Sequence, residues 1–211
     1  MQKQEILTKL AKYVRLTWDR SLTESTGGNM SVRIGDKVYI TPTFFVKHFF
    51  TINDFVILNL NGEKIEGKLD PSSEYRMHIR IYNERDDVKS IFHAHPKWAT
   101  IYSITHKKIP TRILPETIFM LGEIEYIPYC MPGTDEFADA FTEGLKKGRN
   151  AFMLFNHGIT TCGESIEWAF SRLETFETCC YVSAMAGMFN QEPNQISEKE
   201  ANKFLKKLGM K

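Results

Sequence analysis

The side chains best suited to chemistry are two histidines two residues apart, in Phe92-His93-Ala94-His95-Pro96. They end the run Val88-Lys89-Ser90-Ile91-Phe92, which reads as a buried strand. Residues i and i+2 of a strand point to one face, so His93 and His95 can offer two imidazoles to a single point. Pro96 has no N–H to give a ladder and stops the strand. Two nitrogen ligands held this way are half of a catalytic zinc site. An isolated His-x-His is more often packing, so its companions matter. Glu74 lies upstream in Pro71-Ser72-Ser73-Glu74, and His157 lies downstream in Phe155-Asn156-His157-Gly158. Spacing alone does not make the four converge.

Each companion has two readings. Glu74 and His78 are i, i+4 on a helix expected to open at Pro71-Ser72-Ser73-Glu74 and to run to about residue 83, so they share a face. Both could touch a metal; the preferred reading has Glu74 facing the site and His78 packed beneath it. His93, His95 and His157 then supply three nitrogens and leave a fourth position for Glu74, water or substrate. His157 stands where an apolar strand emerges, a usual place for functional groups; the plain alternative is a strand-end histidine bonded to backbone. Ser72 and Ser73 open a helix whose free N–H groups and hydroxyls suit an anion, although a serine capping the helix is the simpler account. Gly27-Gly28-Asn29 precedes a strand, so it is neither a P-loop nor a dinucleotide fingerprint. It could bring N–H groups to an anion, and a turn explains it more simply. His48 and His106 have no comparable setting and read as surface residues.

Composition removes several classes. A net charge of +1 offers no strong field to nucleic acid or an anionic membrane. No apolar run reaches the length of a membrane span, and Met1-Gln2-Lys3-Gln4-Glu5 has no signal-peptide pattern. Cys130, Cys162, Cys179 and Cys180 form no Cys-x-x-Cys pair, so reduced, buried thiols in a cytoplasmic protein are expected. With 211 residues, 42% apolar and 25% charged, a single domain with one substantial core is expected over 1–211, with 191–211 as a helical tail.

The positioning elements follow from periodicity and punctuation. Apolar spacing predicts helices over 4–18, 97–103, 134–147, 164–189 and 197–208. Strands are expected over 30–34, 37–41, 55–60, 64–66, 124–129 and 151–155. The stretch 111–121 fits no single element. Several strand pairs read as hairpins, so the fold class is α/β with a largely antiparallel or mixed sheet covered by helices.

The order of the motifs carries more than any one of them. Gly28-Asn29-Met30-Ser31, Thr41-Pro42-Thr43, Pro71-Ser72-Ser73-Glu74 with His78, His93-Ala94-His95-Pro96 and Asn156-His157-Gly158 follow one another along the chain. This pattern resembles the class II aldolase/adducin-head family, and within it the fuculose-phosphate aldolase branch, from about residue 5 to 190. The resemblance implies a three-layer αβα domain with a mostly antiparallel central sheet, assembled as a homotetramer with sites near subunit interfaces. It implies that His93, His95 and His157 ligate Zn2+, and that Glu74 is the acid/base residue, able to bind the metal when substrate is absent. Gly28, Asn29, Thr43, Ser72 and Ser73 fall where such enzymes hold the substrate phosphate.

The implied reaction is retro-aldol cleavage of a ketose 1-phosphate to dihydroxyacetone phosphate and a short aldehyde such as lactaldehyde. Zinc is the charge sink, a carboxylate beside it moves protons, and the anchored phosphate orients the reacting carbons. Relatives of the pattern include ribulose-phosphate 4-epimerases, which usually carry Asp where Glu74 stands, and methylthioribulose-phosphate dehydratases, which share the Glu. A non-catalytic interaction domain of the adducin-head kind predicts loss of the ligands, and all four are present. Two departures stand out. Phe44 occupies a position that is commonly Gly. No Tyr lies between Tyr102 and Tyr126, where the bacterial fuculose-phosphate enzymes place one; Leu114 or a neighbour aligns there, and Glu116 and Tyr129 are the candidate substitutes.

Overall fold

Alternation along the strands sorts the apolar side chains into two layers. The computed structural model describes residues 3–210; Met1, Gln2 and Lys211, the ends of the domain expected over 1–211, lie outside them. The strands are β1 (Asn29–Ile34), β2 (Lys37–Ile40), β3 (Val56–Asn59), β4 (Lys64–Glu66), β5 (Ser90–Ala94), β6 (Glu125–Ile127), β7 (Ala151–Leu154) and β8 (Gly158–Gly163). They form one sheet in the order β4-β3-β2-β1-β5-β8-β7-β6. Every neighbouring pair is antiparallel except β6 and β7. The expected three-layer architecture with a mostly antiparallel sheet is the one observed.

On one face lie α1 (Lys3–Asp19), α3 (Lys97–Thr105) and α7 (Ile166–Gly187), packed on Met30, Val32, Phe92, Ala94, Met153 and Ile159. On the other lie α2 (Tyr75–Glu84), α5 (Asp135–Asp139) and α6 (Thr142–Lys146), packed on Val38, Ile40, Val56, Leu58, Ile91, Phe152 and Leu154. Phe92 and Ala94 thus face α7, while Ile91 faces the α2 layer, and His93 and His95 share its parity. The remaining helices are α4 (Pro115–Leu121) and α8 (Glu198–Lys207). Among the described residues no helix is long and apolar enough to cross a membrane. Cys162, Cys179 and Cys180 are buried, Cys130 is half-buried, and all four are free thiols.

Four expectations are revised. Strand β8 lies outside every expected strand: Gly158–Gly163 is buried throughout but carries two threonines and no apolar run, so period-2 alternation does not mark it. The helix expected over 134–147 is two short helices. Phe141 N–H bonds to Ala138 O, three residues back, a tightened turn that still buries Phe137 and Phe141. The ambiguous 111–121 stretch contains α4, with Pro115 at its first turn. The long helix begins at Ile166 because Ser165 caps it, its hydroxyl accepting from Trp168 N–H.

Candidate metal centre

Strand β5 lies between β1 and β8 in the middle of the sheet, so His93 has a neighbour on each side. Register places Asn29 opposite it on β1 and Thr160 opposite it on β8. His93 is fully buried. Its Nδ1 lies 3.0 Å from the Ile159 carbonyl. A carbonyl only accepts, so Nδ1 carries the proton and Nε2 keeps its lone pair. That Nε2 lies 3.0 Å from His95 Nε2. His95 stands just beyond the strand end, and His157 is delivered by the turn between β7 and β8. The three rings meet with centroids 4.7 to 5.1 Å apart.

Glu74 comes from the opposite layer, at the N-terminal end of α2. Its Oε2 is 3.3 Å from His93 Nε2, and its Oε1 is 3.4 Å from His157 Nε2. Ser72 shapes this turn, its hydroxyl accepting the Glu74 N–H, but the expected serine cap is not made: the N-cap of α2 is Glu74, with no side-chain cap hydrogen bond. One ligand atom from each of the three histidines falls within 4.8 Å of the others. A tetrahedral zinc with Zn–N of about 2.0–2.1 Å spaces its ligands by about 3.3 Å, so these separations suit one ion. Glu74 Oε1 is buried and makes no hydrogen bond among the described residues, a costly state for a carboxylate unless a cation or substrate completes it. Burial is the main force lowering the His157 pKa to about 3, and it holds His93 well below its usual range, with His95 and His78 adding to the effect. Neutral imidazoles are the form a metal requires. The donor set therefore fits a divalent ion.

A buried relay holds Glu74 in place. The Asn29 amide donates to Glu74 Oε2 at 2.6 Å, and Asn29 Oδ1 accepts from His78 Nε2 at 2.6 Å. With that proton on Nε2, His78 Nδ1 accepts from the Ser31 hydroxyl at 2.7 Å, which in turn accepts from the Tyr82 hydroxyl at 2.7 Å. Every direction in this chain is forced by the carboxylate at its end. His78 thus lies beneath Glu74 and reaches it through Asn29, which sequence spacing did not reveal. Burial lowers the His78 pKa to about 3. Its folded value is below the unfolded one of about 6.5, so its contribution is whole above pH 6.5 and is lost as pH falls towards 3. Unfolding free energies measured across this range are expected to fall by up to about 1.4 kcal/mol per pH unit for this group, with a shallower slope in His78→Asn. Equal slopes would acquit His78.

Two glycines let the surrounding loops close on the histidines. A Cβ on Gly28, which has φ +68°, would lie 2.5 Å from the His93 carbonyl oxygen. A Cβ on Gly158 would lie 2.6 Å from His95 Cδ2 and 2.5 Å from Ala94 O. Gly28→Ala is expected to cost about 1–3 kcal/mol of stability from the backbone conformation alone and to loosen metal retention, read by chemical denaturation and metal analysis.

The remaining expected site residues lie on adjoining loops. Thr43 N–H donates to Asp70 O and Ser72 N–H to Thr41 O, with a bridge between Pro42 and Pro71. In this short ladder Thr43 faces Asp70 and Thr41 faces Ser72. The ladder occupies both amides, so an anion would meet the hydroxyls of Thr43 and Ser72. The amide of Asn29 is committed in part to Glu74. Phe44 takes φ +50° and is 84% exposed. Glu116 and Tyr129 are exposed. His48 lies at the surface. His106, also exposed, does more than the expected surface residue: its Nε2 is 2.9 Å from Asn156 Oδ1 and its ring stacks on Phe155, bracing the turn that carries His157.

A mostly antiparallel αβα sheet with three convergent histidines and a buried carboxylate defines a metal-site α/β protein. The comparisons with known proteins make this specific: residues 8–184 match the Class II Aldolase and Adducin N-terminal domain family, and the chain belongs to it. It is 36% identical over 171 residues to the L-fuculose phosphate aldolase of Methanococcus maripaludis, covering 81% of this chain and 92% of that one. It is 32% identical to the 5-deoxy-D-ribulose 1-phosphate aldolase of Bacillus thuringiensis, covering 98% and 97%. Among solved structures, an L-fuculose 1-phosphate aldolase superposes with a TM-score of 0.90 at 30% identity, covering 100% of this chain and 99% of that one.

Proposed function

We propose that this protein is a zinc-dependent class II aldolase that cleaves a ketose 1-phosphate, of the L-fuculose 1-phosphate kind, to dihydroxyacetone phosphate and a short aldehyde. The observation that carries the reading is the meeting of three histidines with the buried, unsatisfied Oε1 of Glu74. His93, His95 and His157 would hold the ion. When bound, it would act as a Lewis acid that takes up the negative charge developing on the ketose oxygens as the C3–C4 bond breaks. Glu74 accepts the C4 hydroxyl proton and later returns a proton to the dihydroxyacetone carbon. Asn29 fixes the Glu74 carboxylate so that one oxygen stays free for this exchange. Thr43, Ser72 and Ser73, with Gly28 and Asn29 beside them, anchor the phosphate and align the reacting carbons.

Chain length of the sugar sets the aldehyde. Cleavage between C3 and C4 releases lactaldehyde from a 6-deoxyhexulose phosphate and acetaldehyde from a 5-deoxypentulose phosphate. The likeness to the Bacillus thuringiensis enzyme, which spans nearly both chains, supports including the shorter substrate. We also read the protein as a homotetramer of the cytoplasm; exposed Phe49, Met131, Met188 and Phe189 are surface that assembly would cover, and sedimentation velocity tests it. The functional test is release of dihydroxyacetone phosphate from a panel of ketose 1-phosphates, with zinc-loaded and chelator-treated protein side by side. Zinc-dependent release is expected. No release from any member by zinc-loaded protein would overturn the reading in favour of epimerase or dehydratase chemistry.

A further inference from the structure

Lys47 is the one fully buried lysine among the described residues. Among the described residues no carboxylate pairs with it. Its Nζ donates instead to two backbone carbonyls, Thr26 O and Phe45 O, each at 3.1 Å. Its backbone N–H donates to Ser25 O at 2.9 Å. Lys47 therefore ties the loop before β1, which carries Gly27 and Gly28, to the loop after β2, which carries Thr43 and Phe44. These two loops frame the anion pocket of the proposed function. Two of the three ammonium protons are taken by carbonyls, and the positive charge itself is balanced by nothing nearby. Burial alone pulls its pKa down to about 8, and its charge is felt at His93.

Burying a lysine without a counter-charge is expensive, and a neutral side chain of like volume would serve packing better. The pocket has the complementary deficit. Gly28, Asn29, Thr43, Ser72 and Ser73 are all uncharged, and Phe44 stands with φ +50° in the same loop. A phosphate dianion bound there would have hydroxyls and amides but no cation from that set.

We propose that Lys47 is a positioning residue for the anionic end of the substrate: from beneath the two loops it holds them in register and supplies the positive charge that the pocket wall lacks. This inference rests on the reading of the substrate as a sugar phosphate, and it gives that reading a cation outside the expected site residues. The bound anion is then the missing counter-charge, so ligand binding and relief of a buried charge are one event.

The test uses zinc-loaded, full-length wild type, Lys47→Met and Lys47→Arg, with inorganic phosphate as the probe. Wild type is expected to gain thermal stability with phosphate. Lys47→Met is expected to be at least as stable as wild type without phosphate, and to lose the phosphate response. On a ketose 1-phosphate its KM should rise about tenfold, the scale of a charge acting across the loops without a direct hydrogen bond, with kcat changed far less. Lys47→Arg should retain much of the response. A Lys47→Met protein that is destabilised yet responds to phosphate like wild type would show a loop staple only, and would overturn the proposal. Should Lys47→Met fail to fold, Lys47→Gln against Lys47→Arg makes the same comparison, and a neutral variant with a full phosphate response is decisive against it. The two readings separate cleanly. Wild-type turnover with an unaffected Lys47→Met KM removes the role of Lys47 alone. A phosphate response lost in Lys47→Met without wild-type turnover keeps that role and removes the aldolase reaction.

Discussion

His95→Ala is expected to release the metal and abolish turnover together while leaving the fold intact. His95 sits beyond the end of β5, partly exposed, with its Nε2 3.0 Å from that of His93. Its side chain contributes little to either apolar layer, which is built from its neighbours Phe92 and Ala94 on one face and Ile91 on the other. The loss should therefore appear in metal chemistry and not in packing. Changing even an outer-shell partner of a metal ligand costs about 10- to 100-fold in affinity or activity, so deleting one of three nitrogens should exceed 100-fold. Metal content after dialysis and dihydroxyacetone phosphate release are the paired readouts. Chelated wild type should remain folded, because a site of three histidines and one carboxylate lacks the closed, thiolate-rich shell of a structural zinc. An active, metal-free His95→Ala protein would sink the site assignment.

Glu74→Gln should retain metal and fold and lose turnover by about 10²- to 10⁴-fold, the usual contribution of a positioned acid/base group. The substitution keeps the shape of the side chain and an oxygen for the Asn29 amide, which now meets Glu74 Oε2 at 2.6 Å. It removes the ability to take a proton at the free oxygen, Oε1. Substrate affinity should hardly change, since the phosphate loops are untouched, so the effect belongs in kcat. A fall in metal content to match the fall in rate would mean that Glu74 is chiefly a ligand. Turnover within tenfold of wild type would remove it from the acid/base role.

The contrast between these residues and those around them reflects the range of the forces involved. The parity of His93 and His95 and the stop at Pro96 are short-range consequences of strand geometry and proline chemistry. They can be read from a few adjacent residues, as can α1, the β1–β2 hairpin and the apolar β7. The split of 134–147 at Phe141 and the start of α7 at Ser165 depend on packing and on single hydrogen bonds, which periodicity does not resolve.

Other features exist only because distant segments meet. Strand β8 is a strand because β5 and β7 pair with it on both sides; its threonines are buried by that pairing and carry no periodic signal of their own. The relay from Tyr82 through Ser31, His78 and Asn29 to Glu74 joins β1 to α2, and its members are 45 to 51 positions apart where they cross. Lys47 reads in the chain as one more surface lysine, and becomes a buried cation only when two loops close over it. Residue types and local spacing decided which groups could bind a metal. The meeting of the sheet layers decided which of them are neutral, which carboxylate oxygen is left free, and where an unbalanced charge lies, because burial and hydrogen bonding are properties of the assembled fold.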